Sequence, residues 1–184
     1  MTNREINMLI IKKNMILDEV LETWQSALGE DFIAYKNHCY RVLNFYAALI
    51  AKTPMNMDKG AIAIAFHDLG IWSHKTFDYL APSEQLAREY LLKDRHTAWT
   101  DEVVAMINNH HKIRAYHSSP LVEAMRKADW LDVSLGFVHF GLDKSLIQFV
   151  KETFPNNGFH QLLAKNSVKH ILKHPLHPLP MFKL

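Results

Sequence analysis

The sequence has one cysteine, six glycines and no uncharged apolar run of about 18 residues. A single cysteine excludes a disulfide within the chain, and the missing apolar run excludes the usual signature of a transmembrane helix. Residues 1–20 mix acids and bases around a short apolar stretch. Because they show neither the apolar core nor the small-residue cleavage site of a secretory signal, we expect a cytoplasmic protein with no membrane partner.

A strong charge of either sign is also missing. The chain carries 21 basic and 19 acidic side chains, which gives a formal net charge of +2 when its twelve histidines are neutral. This weak bias does not favour a nucleic-acid polymer or an anionic surface as a partner. Histidine is the residue in excess, and that excess favours a metal site.

Apolar residues recur mainly at spacings of three and four, while β-branched alternation is rare. This periodicity predicts an all-α protein, and a chain of 184 residues without repeats or linkers predicts a single domain. About eight helices are expected, together with a loop at 71–80 and an extended, proline-rich tail at 174–184. The predicted helices cover approximately residues 5–28, 31–52, 56–69, 82–94, 98–111, 120–136, 142–153 and 158–173.

Glycine and proline set several of these boundaries. Gly70 is placed to follow the C-terminal cap of the third helix and to let the chain turn away at once. Pro82 and Pro120 suit the first turn of the fourth and sixth helices, and Ser119 provides a cap before Pro120. These residues therefore predict where the helices carrying polar side chains begin and end.

The segment AIAIAFHDLGIW at residues 61–72 places His67 and Asp68 at the end of an apolar helix. An ionised carboxylate in an apolar core costs several kcal/mol unless it is paired or coordinates a cation. The last carbonyl groups of a helix carry partial negative charge, so a cation is favoured there. Other ionisable residues in apolar helical segments are His38 in the second helix, His110 and His111 at the end of the fifth, and Asp129 in the sixth.

Two interpretations of these residues are open. Taken alone, His67 and Asp68 are explained by a buried hydrogen bond that closes the helix as well as by a metal. Taken alone, His38 is better explained as a hydrogen-bonded core histidine than as a ligand. Two imidazoles and two carboxylates together would instead form a mixed nitrogen and oxygen site. Such a site suits Mn²⁺, Fe²⁺, Ni²⁺, Zn²⁺ or Mg²⁺, with waters completing the coordination sphere.

In chain order, His38, the His67–Asp68 doublet 29 residues later and Asp129 a further 61 residues on resemble the pattern of the HD-domain superfamily of metal-dependent phosphohydrolases. The matching context includes AIAIAFHDLG and KADWLD, and the HD-type core is expected at about residues 31–140. The family fold is an all-α bundle. The resemblance implies that His38, His67, Asp68 and Asp129 bind a divalent ion and that metal-activated water hydrolyses a small phosphorylated compound such as a nucleotide.

The number of ions is not fixed by this resemblance. Some relatives hold two metals with two further histidines, often adjacent ones, and His110–His111 resembles that pair. His96 lies 14 residues before His110, which is about 21 Å along a helix, so both cannot serve one dinuclear cluster. His74 stays open as a partner. We expect one ion, with two not excluded, and we expect His110 or His111 to bind substrate phosphate or transfer protons.

The residues that follow the doublet depart from the family pattern. Several relatives carry an acid within a turn or two of it, whereas the first acid here is Asp78. We therefore predict Asp68 and one of His74, Asp78 and Glu84 as catalytic side chains. In the same loop, Trp72 and Phe77 are expected to form the wall of a substrate pocket.

This departure leaves other functions open. They are an HD-fold enzyme of non-phosphate chemistry, either cyanamide hydratase-like or an iron oxygenase, and a catalytically silent metal-binding sensor module. A homodimer is also possible on the sequence alone. Asp132 is interpreted as a boundary residue at the edge of the core, with the alternative that it orients a metal ligand.

Overall fold

Local capping signals and apolar spacing produce a helical chain. The computed structural model describes residues 10–176 and 179–182, and within these ranges the chain has no β-strand. The predicted all-α class and the expected number of helices are confirmed for this part of the chain. Its eight helices of nine or more residues are α1 Met15–Thr23, α2 Phe32–Leu49, α3 Pro54–Phe66, α4 Leu80–Lys93, α5 Thr100–Asn109, α6 Pro120–Val133, α7 Lys144–Thr153 and α8 Phe159–Lys173.

Side-chain caps explain several helix starts. Thr53 accepts a hydrogen bond from the Asn56 N–H and Ser119 accepts one from the Val122 N–H, each just before a proline in the first turn. These caps satisfy backbone donors that have no partner inside the helix. The start of α6 at Pro120 is therefore confirmed, whereas α4 begins at Leu80, two residues before the predicted Pro82.

The prediction of one helix over residues 5–28 is wrong in the part that can be compared. Residues 5–9 lie outside the described residues, residues 10–14 are not helical, and α1 begins only after its cap, Asn14. The side chain of Asn44 accepts from the Ile11 N–H at 2.8 Å and donates to the Ile11 carbonyl at 3.1 Å. This contact from a distant helix overrides the local preference, as tertiary interactions often do.

The chain after α3 does not turn away as predicted. Residues 67–69 continue as turns, and Gly70–Ser73 forms a further helical turn where a loop was expected. Gly70 does not have a positive φ; a Cβ there would lie 2.5 Å from the Tyr79 carbonyl oxygen. Glycine is needed because two backbone segments pass close together, and its N–H donates to Ser83 Oγ at 3.0 Å.

The core lies around α2, which is buried on most of its surface. Twelve of its eighteen residues are buried, so it has core contacts on nearly every side. It packs against α3 and α6, and α5 packs against both of those helices. The six clustered histidines and aspartates described below lie on these four helices or directly after them.

The predicted extended tail is wrong for residues 179–182. These residues form a turn in which the Phe182 N–H donates to the Leu179 carbonyl at 3.2 Å. Met181 is buried in a small apolar cluster with Ile71, Tyr79 and Leu80. Residues 177–178 and 183–184 of the predicted tail lie outside the described residues.

No helix in the described part of the chain combines the length and the apolar character needed to cross a membrane.

Candidate metal centre

Six ionisable side chains meet in the interior, where all of them are at most 8% exposed. They form three overlapping groups in which one possible ligand atom from each residue lies within 4.8 Å of the others. The groups are His38, His67 and Asp129; His67, Asp68 and His110; and His110, His111 and Asp129. These buried histidines and aspartates can hold a metal ion, because their atoms converge at coordination range.

One half of the cluster is formed by the two histidines nearest to α2 and α3. The Nε2 atoms of His38 and His67 are 3.0 Å apart, and they lie 3.5 and 3.6 Å from Asp129 Oδ1. Asp68 Oδ2 lies 3.3 Å from the His67 Nε2. Two nitrogens therefore face one oxygen from each of two carboxylates.

The other half is formed by the two histidines that follow α5. His110 Nε2 lies 3.5 Å from Asp68 Oδ1, and His111 Nδ1 lies 3.5 Å from Asp129 Oδ2. Each carboxylate thus directs one oxygen to each pair of histidines. If each pair of histidines held a cation, Asp68 and Asp129 would be shared between the two ions.

Several atoms of the cluster are buried without a hydrogen-bond partner. They are Asp68 Oδ1, His110 Nε2 and both carboxylate oxygens of Asp129. Buried polar atoms are nearly always hydrogen-bonded, and an unpartnered buried carboxylate is costly. Divalent ions held on the two sides of Asp129 would satisfy these four atoms, so the residues present fit such ions.

The ring of His38 is held from behind by Asp132. Asp132 Oδ2 lies 2.7 Å from His38 Nδ1, and Arg41 binds the same carboxylate as a fork through Nε at 2.6 Å and Nη2 at 2.8 Å. Asp132 is only 3% exposed, so its interpretation as a boundary residue is wrong. The alternative role, orienting His38 so that Nε2 faces the cluster, agrees with this geometry.

The other histidines are oriented by the ends of their helices. His67 and His110 each direct Nδ1 to the carbonyl three residues earlier, at 2.7 Å from Ile64 O and 2.6 Å from Ile107 O. Nδ1–H donation there leaves Nε2 free for the cluster. His111 is reversed, since its Nε2 lies 2.8 Å from the Tyr79 hydroxyl and its Nδ1 faces Asp129.

The electrostatics of the cluster favour a positive charge. Burial lowers the pKa of His67, but the carboxylates of Asp68 and Asp129 outweigh it and raise that pKa to about 10. Burial raises the pKa of Asp68, yet attraction to His67 and His110 holds it well below its usual range. Burial and the neighbouring His110 lower the pKa of His111 to about 3, which keeps its ring neutral.

The structure brings together His38, His67, Asp68 and Asp129, the four residues predicted as ligands. His110 and His111 were predicted to contact substrate, with one of them facing the pocket. Both instead present a ring nitrogen to a carboxylate of the cluster. Both therefore belong to the groups that could hold a metal ion.

The predicted acid and base candidates lie elsewhere. His74 and Asp78 are exposed; His74 Nδ1 lies 3.0 Å from Ser73 Oγ, and the Asp78 N–H donates to Thr76. Glu84 accepts hydrogen bonds from Arg88 and Asn108. The structure therefore does not bring His74 or Asp78 into the buried cluster.

His96 also lies outside the buried groups that could hold a metal ion, which include His110. Its ring stacks on Trp99 with centroids 4.0 Å apart, and its Nε2 lies 3.3 Å from Asp94. His96 is half-buried, and neither contact involves a residue of the cluster.

Trp72 and Phe77 do line a cavity, of about 470 Å³, but none of the six clustered residues lines it. The ring of Tyr35 neighbours both regions, with its centroid 4.7 Å from Trp72 and 6.0 Å from His67. The pocket wall predicted at Trp72 and Phe77 therefore belongs to a neighbouring space.

Sequence reasoning missed Arg41 and Tyr79. Arg41 follows His38 by three residues and Asp132 follows Asp129 by three, so each pair shares one helix face. That matched spacing is a signal that could have found the Arg41–Asp132 contact. Tyr79 lies in a loop and is brought to His111 only by tertiary folding, so no local signal marks it.

Comparisons of this chain with protein-family models, with curated proteins and with solved structures find no match. The resemblance to the HD-domain pattern therefore rests on the order of His38, His67, Asp68 and Asp129 and on the place that the structure gives them. Assignment to that family stays a prediction.

Proposed function

We propose that this chain is a metal-dependent phosphohydrolase whose buried cluster holds two divalent ions. One observation carries the proposal: Asp68 and Asp129 each direct one oxygen to His38 and His67, while the other oxygen faces His110 in the case of Asp68 and His111 in the case of Asp129. Two carboxylates that could be shared between two pairs of imidazoles suit a dinuclear hydrolytic site. The HD-type order of the residues supports the same conclusion.

The ligand set narrows the choice of metal. Four imidazoles and two carboxylates favour Mn²⁺, Fe²⁺, Ni²⁺ or Zn²⁺ over Mg²⁺, which prefers oxygen ligands and retains its waters. Bound ions of this kind lower the pKa of a water ligand and stabilise negative charge on a phosphoryl oxygen. The substrate class that uses both effects is a small phosphorylated compound.

The protein's own residues supply the geometry. Asp132 fixes the His38 ring, and the Ile64 and Ile107 carbonyls fix the rings of His67 and His110. Burial and nearby carboxylates raise the pKa of Tyr79 well above its usual value, so its hydroxyl stays neutral and its oxygen accepts from His111 Nε2–H when Nδ1 faces a cation. The cluster is thereby preorganised before any ligand enters.

The test is a phosphate-release screen with protein stripped by a chelator and then restored with each ion in turn. Nucleotides, sugar phosphates and p-nitrophenyl phosphate make a suitable panel. We expect release only after an ion is restored, and a loss of at least about 100-fold in Asp129→Asn because a bridging ligand is removed. Asp78→Asn is the matched control, since that carboxylate is exposed, and it should retain activity. Release that needs no ion, or that survives Asp129→Asn, would refute the proposal.

Complete burial of the cluster favours a second candidate, a silent metal-binding sensor module. All six residues are at most 8% exposed, and the Phe182 ring stacks over His111 with centroids 5.3 Å apart. A module that only holds ions needs no route for substrate. It predicts bound metal without phosphate release across the whole panel.

A further inference from the structure

A second site lies on the other side of Tyr35. The cavity of about 470 Å³ is bounded by the loop after Ser73 and by α8. Its volume is in the range of sites that hold small organic ligands. None of the six clustered residues lines the cavity, so it is distinct from the metal centre, and the fully buried Tyr35 neighbours both.

Positive charge gathers at this cavity. Lys75, Lys169 and Lys173 line it, and none of them has an ion pair or hydrogen bond within the described part of the chain. The one carboxylate in the lining, Asp31, accepts a hydrogen bond from Trp72 Nε1 at 2.9 Å. With three lysines against one carboxylate, the lining carries a net positive charge, which suits an anionic group.

Flat apolar walls accompany the charge. Trp72 and Phe77 are half-buried in the lining. Trp72 is backed by Tyr35 with centroids 4.7 Å apart, and Phe77 lies between Tyr79 at 5.9 Å and His170 at 5.6 Å. Packing from behind holds both rings in place. A planar ligand can therefore stack on them without the entropic cost of immobilising these two side chains.

Two further features are consistent with a ligand site. Lys75 has a φ of 52°, a left-handed conformation that is unfavourable for a side chain of this kind. The half-buried Asn166 lines the cavity and makes no hydrogen bond within the described residues. A strained lysine and an unpartnered amide at one cavity are both available to a polar ligand.

We propose that this cavity binds a small ligand that joins a planar apolar body to a phosphate-type anion, independently of the metal centre. The planar body stacks on Trp72 and Phe77. The anionic group meets Lys75, Lys169 and Lys173, while Asn166 provides a hydrogen bond. A nucleoside diphosphate has this chemistry and serves as the probe.

The test is calorimetric titration of full-length, chelator-treated protein with ADP and, separately, with inorganic pyrophosphate. We expect saturable binding of one ADP per chain and binding of pyrophosphate that is weaker by about tenfold, because it cannot stack. Trp72→Leu should reduce ADP binding toward the level of pyrophosphate. Asp129→Asn should leave ADP binding within about twofold, because the metal centre is not involved.

Charge variants on α8 provide the matched control. Lys169→Glu combined with Lys173→Glu should weaken ADP binding by at least about tenfold, whereas Lys165→Glu, exposed on the same helix but outside the lining, should change it less than about twofold. Circular dichroism confirms that each variant is folded. The proposal is overturned by no saturable ADP binding, by equal binding of ADP and pyrophosphate, by equal loss in Lys165→Glu, or by loss in Asp129→Asn.

Discussion

Asp132 connects a buried arginine to a buried histidine. Its carboxylate accepts the Arg41 fork on one side and faces His38 Nδ1 on the other. Burial raises the pKa of Asp132, but the hydrogen bonds from His38 and Arg41 hold it well below its usual range. A charged Asp132 therefore keeps His38 in the tautomer that leaves Nε2 free for a cation.

Replacing this carboxylate tests that role. Asp132→Asn should weaken binding of the divalent ion beside His38 by about 10–100-fold, because an amide orients the His38 imidazole less strongly. The affinity is measured by competition with a chromophoric chelator. Asp78→Asn removes an exposed carboxylate in the same way and should leave the affinity unchanged. Equal metal affinity in Asp132→Asn and wild type would show that Asp132 does not orient His38 for a cation.

Tyr79 has the corresponding role at the other half of the cluster. Its hydroxyl lies 2.8 Å from His111 Nε2, whereas His38 and His67 have other partners. Tyr79→Phe should therefore weaken the affinity for the ion beside His111 by about tenfold or more. It should leave the affinity for the ion beside His38 unchanged. A titration that resolves two binding steps measures this difference. Equal weakening of both steps, or of neither, would contradict it.

At the scale of elements, most helix boundaries follow from local chemistry. The Ser119–Pro120 start could be predicted because the cap and the fixed φ of proline act within one turn. The start of α1 could not, because Asn44 on α2 holds Ile11 from a distance. Gly70 was identified as a boundary residue for the wrong reason, since its neighbour Tyr79 is close only in the folded chain.

The close approach at Gly70 has a measurable consequence. Gly70→Ala places a methyl group 2.5 Å from the Tyr79 carbonyl oxygen, and the backbone must shift. We expect the free energy of unfolding to fall by about 1–3 kcal/mol. Ser73→Ala, in the same helical turn, should change it by less than about 0.5 kcal/mol. Urea denaturation measures both free energies of unfolding. An unchanged value in Gly70→Ala would contradict the close approach of Gly70 to the Tyr79 carbonyl.

Glu123 ties the segment before α6 to that helix. It accepts hydrogen bonds from the Tyr116 N–H at 2.8 Å and from Arg126 Nε at 2.7 Å. Burial raises its pKa, but Arg126 and the Tyr116 N–H outweigh burial and lower the pKa from 4.5 to about 2. Because the folded-state pKa is depressed, this stabilisation is complete above pH 4.5 and is lost as the pH falls toward 2.

Glu123→Gln should therefore destabilise the protein in a pH-dependent way. At pH 7 the variant should be less stable by about 1–2 kcal/mol, a figure reduced for partial exposure of the pair. The difference from wild type should narrow as the pH falls below 4.5. Denaturation curves at several pH values measure it, and a difference that does not depend on pH would exclude this role for Glu123.

At the scale of the whole molecule, the sequence located the first four residues of the cluster. His38, His67, Asp68 and Asp129 could be selected because charged groups in apolar helices need a cation or a partner. The roles of His110 and His111 could not be assigned, since their distance from Asp68 and Asp129 depends on how α5 packs against α3 and α6. The separation of the cavity at Trp72 from the cluster likewise depends on the tertiary position of Tyr35.

The count of divalent ions per chain tests the central claim most directly. Protein loaded with Mn²⁺ and passed through a desalting column is analysed for metal by mass spectrometry, beside Asp129→Asn and Asp78→Asn prepared in the same way. The account predicts two Mn²⁺ per chain in wild type and in Asp78→Asn, and loss of both in Asp129→Asn because Asp129 faces both pairs of histidines. No bound metal in wild type, or equal metal in wild type and Asp129→Asn, would contradict it.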